Sequence, residues 1–201
     1  MIQFPSNTPT FQHLLAVTEE LIREKGCRKT TLQDIVNRSG LSKGAIYHYV
    51  KSKDELFGLL LVQKMEAINR AFHDAVGRAS VGDLENPLWA ITRGIAKQLI
   101  DPNDVSNRIF LYLVGQRDDP RIEALLKTLY EFSLKMTVKW IEIGQTYRAI
   151  PPEVDAHKIA ERFIVFTYGL RLKSSIVPEE NAIDPQELFQ MFLYNLRPGH
   201  A

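Results

Sequence analysis

The sequence predicts an all-α protein of about nine helices, arranged as a small three-helix head on a larger helical body. Two observations carry that prediction. Apolar residues recur at helical spacing along the chain and nowhere alternate as a half-buried strand requires. Glycine and proline break the pattern at regular intervals, at Gly26, Gly40, Gly82 with Pro87, Pro102, Pro120, Pro151-Pro152, Pro178 and Pro185, and no hairpin signal lies between them.

Each element follows from its own residues. Phe11, Leu14, Leu15, Thr18, Leu21 and Ile22 form one face of a first helix, which Gly26 is placed to stop. Thr31 is an N-cap for a short helix carrying Leu32, Ile35 and Val36, and Ser42 caps another running through Val50. Lys53-Asp54-Glu55-Leu56 opens a long helix to about Ala79, with acidic residues in its first turn as the helix dipole favours. Further helices are expected at about 84–100, 104–116, 119–147, 153–176 and 184–196. Two of these begin with an aspartate cap followed by proline, Asp119-Pro120 and Asp184-Pro185. The division expected is a head at 1–55 and a body at 56–201.

Composition narrows the class. The 201 residues are 45% hydrophobic and 24% charged, an ordinary globular balance that leaves room for a real core. Cys27 is the one cysteine, so no disulfide framework exists within the chain, and a lone thiol fits a reducing cytoplasm. The first ten residues lack the basic and apolar regions of a signal peptide. The most apolar stretches, 57–62 and 109–115, fall short of the ~20 residues of a membrane span. A cytoplasmic protein without a membrane partner is the expectation.

The informative segment is Thr30 to Leu56, TTLQDIVNRSGLSKGAIYHYVKSKDEL. Two short helices separated by a glycine-bearing turn form a helix-turn-helix, whose second helix enters the major groove of DNA. Leu32, Ile35, Val36, Leu41 and Ile46 are placed to pack both helices on the first one. Gly44 and Ala45 keep the start of the second helix slim. Lys43, Tyr47, His48 and Tyr49 supply donors on its outer surface, and Lys51 and Lys53 follow at the next helix start.

This segment resembles the DNA-binding head of the TetR family of bacterial transcriptional regulators. Gly26, Thr31, Ile35, the Ser39-Gly40-Leu41-Ser42 turn, Gly44, the Tyr47-His48-Tyr49 run, Lys53 and Leu56 carry the resemblance, over about residues 11–58. Val50 stands where phenylalanine is common in the family, a conservative apolar change. The resemblance implies that Thr31 and Ser42 contact phosphates, that Tyr47 and His48 hold the DNA backbone, and that Lys53 meets a phosphate. Tyr49 belongs to the same aromatic run, with part of its ring available to the core. Lys43, Gly44, Ala45 and Gln33 face base edges in this reading, which separates positioning from sequence selection.

Charge agrees. The total of +1 looks unpromising for a nucleic-acid partner, but residues 1–53 hold eight basic and four acidic side chains, and the remainder holds 17 basic and 20 acidic. A +4 head on a −3 body has the asymmetry DNA binding requires.

Other constellations are weaker. His13, His48, His73, His157 and His200 show no metal-ligand spacing, and His157 with Glu161 fits a surface helix pair better than a metal site. Asp118-Asp119 could be a carboxylate pair for acid–base work, but Pro120 favours the cap. Cys27 could be a redox sensor, though an inert thiol is the simpler reading. No nucleophile elbow, phosphate loop or other catalytic constellation is visible, and no cofactor, metal or enzyme activity is expected.

The body is aromatic-rich, and the resemblance implies a small-molecule pocket between its middle helices. Phe110, Trp140, Tyr147 and Phe166 are the candidate lining residues for an apolar or amphipathic effector. Apolar stripes on the last two helices, with Ile159, Phe163, Phe166 and Leu170 on one, where Gly169 permits close approach, and Leu188, Phe189, Phe192, Leu193 and Leu196 on the other, are candidate homodimer surfaces. The expected function is a sequence-specific regulator, a repressor released by its effector from a palindromic operator in double-stranded DNA. A protein-docking module or a nonspecific DNA anchor is the alternative.

Overall fold

The structure is a computed structural model that describes residues 8–101, 104–177 and 184–197. Among these residues there are nine helices and no strand. They are α1 (Pro9–Lys29), α2 (Leu32–Ser39), α3 (Lys43–Tyr49), α4 (Lys53–Val76), α5 (Glu85–Ile100), α6 (Ser106–Val114), α7 (Pro120–Thr146), α8 (Ala156–Ile176) and α9 (Pro185–Asn195). Every expected helix is present, with ends shifted by a few residues.

Two compact units are built from interleaved stretches of chain. One comprises Met1–Lys64 and Asn103–Leu129, the other Met65–Pro102 and Tyr130–Ala201. The first therefore exceeds the head expected at 1–55. The apolar side of α4 explains the difference. Leu56, Phe57 and Leu60 are fully buried, as are Ile109 and Leu113 of α6. The Phe57 ring meets Tyr112 of α6 edge-on at 5.7 Å, and Gly58 lies against the side chain of Leu125 of α7. α1 and the two short helices leave part of that surface to α6 and the start of α7.

Within this unit, all six apolar-stripe residues expected on α1 are buried. Leu14, Leu15 and Ile22 of α1 are fully sequestered, as are Ile35 of α2 and Ile46 of α3. Each such side chain contributes up to about 1.5–3 kcal/mol of hydrophobic stabilisation. Gly26 does not end α1. Its backbone turns out of the helical region (φ 80°) and one further turn, carrying Cys27, follows. That positive φ is strained for any residue with a Cβ.

In the second unit, α5 packs on α8 and on α9. Phe163 of α8 and Phe192 of α9 stack with centroids 3.9 Å apart, and Trp89 of α5 stacks on Phe189 at 4.8 Å. Leu188, Phe189, Phe192 and Leu196 are buried in this core, Phe163 with them, and Leu170 packs against its edge. The stripe expected to form a dimer surface on α9 is thus covered by the chain's own α5. Trp140 belongs to a smaller cluster with Ile68, Phe72 and Ile91, and its indole N–H donates to Asn69 Oδ1 at 2.9 Å.

Candidate nucleic-acid interface

Local chemistry fixes the two short helices. The Thr31 side chain accepts from the Asp34 backbone N–H while Asp34 Oδ2 accepts from the Thr31 N–H at 2.8 Å, a reciprocal capping box. The Thr31 hydroxyl donates to the same carboxylate oxygen at 2.6 Å. Gly40 closes α2 in the left-handed region (φ 67°), which lets the chain reverse within three residues. Ser42 Oγ then accepts from Ala45 N–H at 3.1 Å and starts α3.

α3 divides cleanly into two faces. Ile46 is fully buried. Lys43, Gly44, Tyr47 and His48 are exposed, with Ser42 just before them and Thr31 and Gln33 exposed on the α2 side. A Cβ placed on Gly44 has only Ser42 Oγ within reach, at 4.0 Å, so the backbone there is open to close approach. The Lys43 ammonium lies 5.7 Å from the Tyr47 ring centroid, and the Gln33 amide donates to Asn37. Ala45 is half-buried.

Two residues assigned to DNA turn elsewhere. The Tyr49 ring packs on Phe11 at 5.2 Å and its hydroxyl shares a 3.2 Å hydrogen bond with Thr8, the N-cap of α1. Tyr49 thus ties α3 to the start of α1. Lys53 Nζ donates to the carbonyls of Cys27 at 3.0 Å, Arg28 at 3.3 Å and Thr30 at 2.9 Å. The sequence reading missed this arrangement. Its signal was a cation at the first residue of α4, where the dipole of that helix disfavours positive charge.

Ion pairing sorts the remaining charges. Glu24 holds Arg38 through two contacts at 2.9 and 3.0 Å, Asp34 holds Lys25 at 2.6 Å, and Glu19 holds both Arg23 and Lys64. The Lys25 ammonium, and then the Thr31 donors, depress the Asp34 carboxyl to about 2. Among the described residues, Arg28, Lys29, Lys43 and Lys51 are exposed and have no carboxylate at ion-pair distance. These four side chains carry the positive field of the head.

Other candidate residues have ordinary surroundings. Cys27 is buried, and desolvation pushes its thiol up to about 11, far from a reactive thiolate. Burial also pushes the Tyr112 hydroxyl up to about 12, so it stays protonated and donates to Asp54 at 2.9 Å. His157 and Glu161 lie 4.0 Å apart on the exposed side of α8. No group of three His, Cys, Asp or Glu side chains suited to a metal occurs among the described residues. No helix there is long and apolar enough to cross a membrane.

The four residues expected to line a pocket do not share one environment. Phe110 sits half-buried on α6 in the first unit, Trp140 is core, and Tyr147 and Phe166 are exposed. Two open hollows lie among the described residues of the second unit. One, of about 650 Å³, lies among the loops around Leu84, Arg148, Pro151 and Leu196. The other, of about 830 Å³, lies among Arg78, Trp89, Arg93 and Gln186. Neither is lined by any of the four.

A capped helix pair with one face buried and the other bare, cationic and open at Gly44 defines a helix-turn-helix protein that reads DNA. Comparison with known proteins narrows the class. Residues 14–60 match the model of the bacterial regulatory proteins of the tetR family. The chain is 22% identical over 174 residues to an uncharacterized HTH-type transcriptional regulator, YfiR, of Bacillus subtilis (strain 168), covering 84% of this chain and 82% of the other. Over 63 residues, 31% of this chain and 32% of the other, it is 32% identical to the HTH-type transcriptional repressor KstR2 of Mycobacterium tuberculosis. Its fold is similar to that of the fatty acid degradation regulator FadR from Bacillus halodurans, with a TM-score of 0.70 at 16% identity over 96% of this chain and 99% of that one. Residues 14–60 thus carry the DNA-binding head of the tetR family of bacterial regulatory proteins, and over most of its length the chain is similar to transcriptional regulators with that head.

Proposed function

We propose that the protein is a cytoplasmic, non-enzymatic homodimeric repressor that occupies a near-palindromic operator and leaves it when a small apolar or amphipathic molecule binds the second unit. The exposed face of α3 is the observation that carries this reading. Lys43, Gly44 and Ala45, with Gln33 of α2, read base edges; Thr31, Ser42, Tyr47 and His48 hold phosphates. A likeness over 63 residues to a relative named as a repressor supports repression.

A bare stripe on α8 supports the dimer. Val165 is 66% exposed, Phe166 39%, Leu172 52% and Ile176 68%, and a Cβ on Gly169 meets nothing within 4 Å. These residues recur at helical spacing and leave room for a second helix to approach at the glycine. They replace the buried residues of α9, Phe163 and Leu170 as the pairing surface. Phe166, expected both in the pocket and in the stripe, is kept here for this surface alone. A two-fold dimer sets two copies of α3 ~34 Å apart, one per major groove. The aromatic content of the second unit and its two hollows support an effector site.

Selection from a randomised duplex library, followed by footprinting, tests the whole. The expected result is a symmetric site with two half-sites, and Lys43→Ala should change the preferred bases. Binding that shows no sequence preference would leave a nonspecific anchor, and no binding a docking module. A monomeric mass in light scattering at working concentration would refute the two-fold scheme.

A further inference from the structure

The geometry points to Lys53 and Tyr112 as a pair of positioning residues for DNA recognition: the ammonium clamps the end of α1 to the start of α4, and Tyr112 of α6 holds that clamp in place. The inference rests on the reading of the chain as a sequence-specific DNA-binding regulator. It assigns Lys53 a role other than phosphate contact.

The end of α1 creates the need. After the break at Gly26, the Gly26 carbonyl accepts both the N–H and the hydroxyl of Thr30, at 3.2 and 2.9 Å. The carbonyls of Cys27, Arg28 and Thr30 lie past this turn, where a helix end leaves acceptors without intrahelical donors. An ammonium has three donors and no acceptor, and it meets these three carbonyls. Lys53 is badly placed for the dipole of α4 and well placed for that of α1, whose C-terminal end favours a cation. The start of α4 has a cap of its own: Ser52 Oγ accepts from Glu55 N–H, and Glu55 Oε2 accepts from Lys51 N–H.

Tyr112 closes the other side. Lys53 Nζ lies 5.3 Å from the Tyr112 ring centroid and 5.8 Å from that of Phe57, within range of cation–π attraction. The Tyr112 hydroxyl donates to Asp54, the residue next to Lys53. One α6 side chain therefore engages both the cation and its neighbour. With the ammonium so occupied, three elements of the first unit, α1, α4 and α6, are joined at one point.

Three variants of the full chain test this against the duplex recovered by randomised-site selection with the unaltered protein, and against a scrambled duplex of equal composition. Affinity is measured across a salt series, with circular dichroism confirming the fold of each variant. Lys53→Met and Lys53→Arg should each lose about tenfold or more on the selected duplex, because neither donates three compact bonds to the carbonyls. The salt slope should match that of the unaltered chain, and binding to the scrambled duplex should fall less. Tyr112→Phe should lose about threefold. Lys53→Met with Tyr112→Phe should be no weaker than Lys53→Met alone, since the tyrosine acts through the lysine. A slope smaller by about 0.9 for each lysine removed, with Arg restoring both slope and affinity, identifies a phosphate contact and overturns the proposal. Tyr112→Phe carries a conservative test where Lys53→Met fails to fold: unchanged affinity and unchanged preference between the duplexes also overturn it. Failure to recover any selected site overturns the regulator reading and this inference together.

Discussion

α8 and α9 carry apolar stripes of the same kind and end in opposite surroundings. On α9, Leu188, Phe189, Phe192 and Leu196 are buried, with α5 packed on the helix. On α8, Phe163 joins that core while Val165, Phe166, Leu172 and Ile176 stay bare. The width of the stripe accounts for the contrast. α9 is apolar on one face, which α5 and the inner side of α8 cover. α8 is apolar over more of its circumference, so its core contacts leave a second face open. Helical periodicity reports that a face is apolar; only the packing partner decides whether the chain itself covers it.

The largest expected effect tests the covered side. Phe192→Ala removes a fully buried ring stacked on Phe163 and should destabilise the protein by about 3–5 kcal/mol in denaturant unfolding. A loss below about 1 kcal/mol would mean that α9 is not part of the core. Charges on the bare side sharpen the contrast. Val165→Glu with Leu172→Glu should leave unfolding of the single chain nearly unchanged, halve the mass in light scattering, and weaken operator binding about 10²-fold through loss of the second head. An unchanged dimer mass would relocate the interface away from α8.

Smaller effects belong to the head, where each side chain has local partners. Tyr49→Phe keeps the ring on Phe11 and loses the hydroxyl bond to Thr8, for an expected loss of about 1 kcal/mol in thermal unfolding. The Asp34 carboxyl is depressed in the folded state, so its contribution is fully present above the ordinary carboxylate range. That contribution should fade as pH drops from about 4 towards about 2. Asp34→Asn should flatten this part of an acid-unfolding curve, and a curve superimposable on that of the unaltered chain would show that the capping box adds nothing.

Legibility in the sequence followed the range of the interactions. Thr31, Gly40 and Ser42 act within three or four residues of themselves, so the helix-turn-helix and its outer face could be read from spacing alone. Lys53 and Tyr49 looked like donors on a DNA-facing surface. Their partners lie 23 to 26 and 41 residues earlier in the chain, beyond any local rule. The same limit applied to the body. Trp140 and Phe166 are both large aromatics on amphipathic helices, yet one is core and the other lies bare on α8. The boundary at residue 55 followed the motif, whereas the compact unit follows the buried side of α4.

The interleaving of the two units bears on the order in which the protein is made. The two helices of the helix-turn-helix are synthesised before α5 and α6. Their unit includes α6 and the start of α7, which emerge only after α5 has been synthesised. Until then Phe57 lacks Tyr112, and Gly58 lacks the side chain of Leu125. A nascent chain thus displays the reading surface before its support is complete, and a product truncated ahead of α6 carries the recognition sequence without the packing that steadies it. Placing α6 after α5 makes completion of the head's support depend on chain that follows the helix-turn-helix by more than 50 residues.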